Sequence, residues 1–205
     1  MNRKNNRRQH ALLIIGIILL SIFNHSIRDI PKYYKNMLYV SSINIVYYFI
    51  FRRHLIWEFV PIGIHWSLIR LAHVLIVSPF LTLMFLSTLP RDLFKKIIHL
   101  IKFVLISSII EFVAYKKNLI LFAHGWNIFW SGLIYLKMFV YSYLFGKRPL
   151  FTLALSLCST IFFVYIFRAP LGTKHFSKYF EPAVDLYYHS FLERVFGNKP
   201  RRIFF

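Results

Sequence analysis

An all-α, polytopic transmembrane bundle of about six helices, five at the fewest, is the fold this sequence predicts, and three features predict it. Hydrophobic residues make up 58% of the chain and aromatics 20%, above the roughly 45–50% apolar share of soluble domains. Charged residues make up only 16%, too few to cover the surface of a soluble domain of 205 residues. The apolar residues fall in long runs joined by short basic connectors, which is how helices and loops alternate in lipid.

Residues 1–10 carry Arg3, Lys4, Arg7 and Arg8 and are expected to form a basic cytoplasmic leader. The run 11–23 then imitates a secretory signal, but Asn24, His25 and Ser26 offer no small-x-small cleavage site, so it is read as an uncleaved first anchor. Further runs at 37–51, 69–89, 97–115, 119–145 and 150–167 complete a transmembrane domain over 11–167. They are too continuous for the alternation of an outer-membrane barrel, and helices close their backbone hydrogen bonds internally. Pro79 predicts a kink in the third run, because it removes a backbone donor and crowds the preceding turn. In the basic tail, 168–205, Val184, Tyr187, Phe191 and Val195 recur at helical spacing before Gly197. That pattern predicts a C-terminal amphipathic helix lying in the interface.

The 26 Lys and Arg against 7 Asp and Glu give +19, which in a soluble chain would suggest nucleic acid. Here the charges come in twos and threes between apolar runs, so the expected partner is a bilayer with anionic headgroups and not nucleic acid. Placing the leader, Arg52, Arg53, Lys116, Lys117 and the tail on one side gathers the larger share of the cations there. Both termini are therefore expected in the cytoplasm of a cell-membrane protein. Cys158 is the only cysteine, so no intrachain disulfide, zinc cluster or thiol pair is available.

Ionisable residues within spans are costly and call for a partner. Glu111 and His124 are predicted to sit on the two helices of one hairpin turning near Lys117 and Asn118, at similar depth. Asn127 and Ser131 follow His124 at helical spacing and extend a polar stripe, flanked by Trp126 and Trp130. The stripe serves either as interhelical glue or as a ligand or proton site. A second cluster, LIWEFVPIGIHW, holds Trp57, Glu58, Pro61, His65 and Trp66 between spans. Glu58 either converges on Glu111 and His124 or pairs with Arg52, Arg53 or Arg70 while the segment lies in the interface. Trp57, Trp66, Trp126 and Trp130 are expected as interfacial aromatics. No H-E-x-x-H motif, Gly-rich phosphate loop or G-x-S-x-G elbow is present, so no catalytic residue, metal or cofactor is expected.

The stretch IIEFVAYKKNLILFAHGWNIFWSGLIYLKMFVYSYLF resembles the closing hairpin of a family of small, uncharacterised multi-pass membrane proteins of endospore-forming Gram-positive bacteria. Glu111, His124, Trp126, Asn127 and Trp130 match that pattern, and WEFVP resembles the family's Glu and Pro between helices, here Glu58 and Pro61. The resemblance covers roughly 11–145. The run 150–167 and the tail exceed the usual family length. It implies a bacterial membrane bundle and brings no activity with it.

Three functional expectations follow. The first is a non-enzymatic structural or accessory component acting through helix packing, with another membrane protein or a second copy as partner. The second is a small transporter or channel component using an intramembrane Glu111/His124 relay. The third is a lipid-modifying membrane enzyme built on Glu58, Glu111 and His124.

Overall fold

The computed structural model describes residues 12, 15–16, 18–22, 24–51, 55–60 and 66–169, with only the backbone of Trp66 and Ser67. The chain divides into two compact units, Met1–Ala169 and Pro170–Phe205. The second, with the expected amphipathic helix, lies outside the described residues, as do the basic leader, Pro61 and His65.

Of the first apolar run, residues 18–22 are helical. A 3₁₀ turn, Ser26–Asp29, leads into α1, Ile30–Ile50, where Pro31 sits in the first turn and gives up a donor that has no helical partner there. Strand β1 is Trp57–Phe59. Helix α2, Trp66–Ala72, runs through a π-helical turn, His73–Val77, into α3, Ser78–Ser87. The π turn lies just ahead of Pro79, where a kink was expected. The Ser78 N–H reaches back to His73 O, so the ladder is rerouted around the proline instead of broken.

Helix α4, Leu93–Lys116, starts where Asp92 accepts from Lys95 N at 2.9 Å, an N-cap that satisfies an orphan donor. Strand β2, Ile120–Phe122, precedes α5, Ile128–Phe145, and α6, Pro149–Ile166. The strands pair antiparallel with Trp57 opposite Phe122 and Phe59 opposite Ile120. The bundle is thus helical as predicted, with one short ribbon added.

One expectation is overturned by the second strand. The run 119–145 is not one helix. Asn118, His124 and Gly125 hold positive φ of 54°, 53° and 83°, conformations that interrupt a right-handed helix, and Ile120–Phe122 uses its backbone groups on β1. The segment around Trp57, which lies between apolar runs in the sequence, supplies that β1 strand.

Among the described residues, four stretches are long and apolar enough to cross a membrane: Leu68–Ser87, Leu93–Lys116, Ile128–Phe145 and Pro149–Ile166. The 21-residue α1, with Lys32, Lys35, Asn36 and Asn44, is not among them. Helix α5 is central and packs against α1, α3, α4 and α6. At the ribbon end, Phe51, Trp57, Ile69, Ala114, Trp126 and Phe167 form one apolar cluster. Toward the other end Phe85, Leu86 and Phe139 form a second. There Ser87 Oγ donates to Ser26 Oγ at 2.7 Å, and Asn36 Nδ2 donates to Ser142 O at 2.6 Å.

The distribution of polarity is that of a chain solvated by lipid. Leu150, Phe129 and Leu93 are 82%, 77% and 72% exposed, whereas Asn36, Ser41, Thr82, Ser107, Ser142 and Ser156 are buried. Small hydroxyl residues let helices approach closely and hydrogen-bond across their interfaces. Tyr39 Oη and Ser156 Oγ, 2.6 Å apart, join α1 to α6; Tyr141 Oη and Ser159 Oγ, 2.8 Å apart, join α5 to α6.

Candidate functional site

The α4–α5 seam is built from small residues. Ser107, Glu111 and Ala114 are buried on one face of α4, and on α5 a Cβ added to Gly132 would lie 3.5 Å from Ser108 Oγ. This close approach places Glu111, 5% exposed, beside Ser131 and Tyr135, which lie one helical turn apart on α5.

The Glu111 carboxylate accepts from three side chains. Trp57 Nε1 donates to Oε1 at 2.8 Å, the Ser131 hydroxyl donates to the same oxygen, and Tyr135 Oη donates to Oε2 at 2.7 Å. Ser131 Oγ in turn accepts from Trp126 Nε1 at 3.0 Å. Tyr47 Oη extends the network, donating to Trp57 O at 3.2 Å. One buried acid therefore ties the ribbon, α4 and α5 together. Its three donors offset part of the cost of burying it.

The expected site residues separate in space. Ser131 joins Glu111. His124 does not: it lies exposed in the loop between β2 and α5, because the chain has left the helix there, so a relay between Glu111 and an intramembrane His124 is not assembled. Asn127 is exposed and caps α5, its Oδ1 accepting from Phe129 N at 3.0 Å and Trp130 N at 3.3 Å. The predicted polar stripe is thus a helix cap followed by one buried serine.

Glu58 pairs with Arg70, one of the predicted choices. Arg70 Nε donates at 2.9 Å and Nη2 closes the ion pair, and the guanidinium lies 5.3 Å from the Tyr48 ring centre. Strand alternation turns Glu58 to the face of β1 opposite Trp57 and Phe59, away from the indole that donates to Glu111. Trp57 and Trp126 are buried within the protein as hydrogen-bond donors. Trp130 is half-buried against Phe163 and Phe167, and the Trp66 side chain is outside the described residues.

A cavity of about 140 Å³ opens beside this network, between α1, the π turn, α5 and α6. Glu111, Trp57 and Lys137 line it, and Ile134, Met138 and Phe163 provide apolar wall. Tyr48 Oη and His73 Nδ1, both on lining residues, are buried with no hydrogen-bond partner among the described residues. A buried polar atom left unpaired costs about 1–3 kcal/mol, so the core beside this cavity is where the described side chains are least well satisfied.

Sequence reasoning missed Tyr135, although its spacing of four from Ser131 places it on the same face. It also passed over Lys137, Tyr48 and His73, whose roles depend on which helices meet. The fold and site define a polytopic helical membrane bundle with a buried acid at its ribbon end. Comparison with protein-family models, curated proteins and solved structures found no match to this chain.

Proposed function

We propose that the chain is a non-enzymatic, multi-pass component of the cell membrane that takes a small molecule into its bundle, as a small transporter or an accessory to one. Its ribbon end faces the cytoplasm in this reading, because Lys116 and Lys117 lie there and the cation count favours that side. The observation that carries the proposal is the cavity itself, lined by Glu111, Lys137, Tyr48 and His73, with Tyr48 Oη and His73 Nδ1 without a partner among the described residues. Glu111 itself already accepts three hydrogen bonds, which suits it to hold the pocket's wall more than to exchange protons with a substrate. Similarity to the multi-pass family of endospore formers belongs to the same proposal.

The test is solute uptake by proteoliposomes containing the full chain, compared with the Ile134→Phe variant, which fills the cavity. Uptake or binding by wild type that the variant loses, with unchanged elution from a sizing column, supports the reading. A wild type that neither binds nor moves any solute offered, or a variant that matches it, overturns it.

Partner association is a second reading, favoured by α4. That helix packs on α5 and β2 and leaves Ile97, Ile101, Leu105, Ile109 and Phe112 exposed along its outer side. A photo-crosslinker at Ile101 that captures only lipid in native membranes would remove it.

A further inference from the structure

The position of Lys137 says more about the guest. It is near the middle of α5, roughly 12 Å from the nearer end at 1.5 Å per residue, too deep for its ammonium to snorkel out. Among the described residues the ion pair formed is Glu58–Arg70, so Lys137 has no acidic partner there. Its Nζ lies 5.2 Å from the Phe163 ring centre and 5.8 Å from that of Tyr141, contacts that hold a cation without neutralising it. Lys137 also borders two spaces at once: the inner cavity and an open groove between α5 and α6 walled by Leu133, Leu136, Val140 and Phe162.

Resting on the cavity reading above, we propose that the guest is a monocarboxylate on an apolar body, its carboxylate paired with Lys137. A lone ammonium between aromatic faces suits a singly charged anion. Phosphate recognition favours an arginine fork or several converging backbone N–H groups. Most of the remaining lining surface is apolar, with Asn44, Tyr48, His73 and the hydrogen-bonded Glu111 as polar exceptions, and a cavity of about 150 Å³ accepts a molecule the size of benzene, so the space of about 140 Å³ fits a benzoate-sized acid. The groove offers the same carboxylate a second source, a fatty acid from the bilayer whose chain lies along Leu133, Leu136 and Val140.

The full chain in zwitterionic nanodiscs is titrated with benzoate, laurate, benzyl alcohol and benzylamine, using equilibrium dialysis and the emission of the cavity-lining Trp57 and Trp126. Benzoate or laurate binding about tenfold tighter than benzyl alcohol, lost in Lys137→Gln and regained in Lys137→Arg, supports the assignment. Benzyl alcohol binding retained by Lys137→Gln shows that variant to be folded. Laurate alone identifies the membrane source, and benzoate binding identifies the free acid. Equal binding of benzoate, laurate and benzyl alcohol, tightest binding by benzylamine, or an acid preference that survives Lys137→Gln overturns the carboxylate while leaving the cavity reading standing. Binding of none of the four overturns both.

Discussion

Replacing Glu111 with alanine removes one acceptor from three donors. Trp57 Nε1, Tyr135 Oη and the Ser131 hydroxyl lose the acceptor shown for them, while Ser131 Oγ still accepts from Trp126 Nε1. Stranding a buried donor costs about 1–3 kcal/mol in soluble proteins, while hydrogen bonds inside a bilayer bundle average about 0.6 kcal/mol. Adding the void left by the missing side chain, Glu111→Ala is expected to lose about 3–5 kcal/mol. Glu111→Gln keeps a carbonyl oxygen for Trp57 and Ser131 and turns its amide toward Tyr135 Oη, which can accept, so it loses only about 1 kcal/mol. The assay is unfolding in mixed micelles with increasing dodecyl sulfate, read by tryptophan emission, because release of the ribbon carries Trp57 into a wetter setting. Glu111→Ala within about 0.5 kcal/mol of wild type, or Glu111→Gln as damaging as Glu111→Ala, would refute the reasoning.

Three other outcomes follow from the packing. Asn127→Ala should lower stability by about 1 kcal/mol through loss of the α5 cap and leave solute binding unchanged; a binding defect at equal stability would return Asn127 to the site. Phe139→Ala, at a side chain with 0% exposure, should cost about 3–5 kcal/mol in the same unfolding assay. A double-mutant cycle of Glu58→Gln and Arg70→Met should give a coupling of about 1 kcal/mol for this partly exposed pair, weakening in 1 M salt; a coupling of zero would mean that other contacts hold Arg70 in place.

The helices were legible because hydropathy accumulates over some twenty residues, and α4 and α6 lie close to runs visible in the sequence. The ribbon was not legible. Each strand has three residues, and Trp57–Phe59 becomes a strand only because Ile120–Phe122, far along the chain, is brought beside it. Continuous hydropathy over 119–145 concealed the break, whose local marks are Asn118 and the His124–Gly125 pair in left-handed conformations. That break explains why Glu111 was found and its supposed partner His124 was not. Glu111 sits inside a regular helix, where position along the run predicts depth. The depth assigned to His124 assumed a helix that starts only at Ile128. Trp57 illustrates the remaining gap, since nothing local to the sequence around it shows that the ribbon turns its indole to the carboxylate of Glu111.

The bundle's relation to the membrane is tested most directly by cysteine labelling in intact cells with an impermeant maleimide, on a Cys158→Ser background. Asn118→Cys at the ribbon end should react only after lysis, whereas Arg91→Cys and Lys147→Cys at the opposite end should react from outside. Labelling of all three from the same side would contradict a bundle that crosses the bilayer between the ribbon and the Arg91 loop.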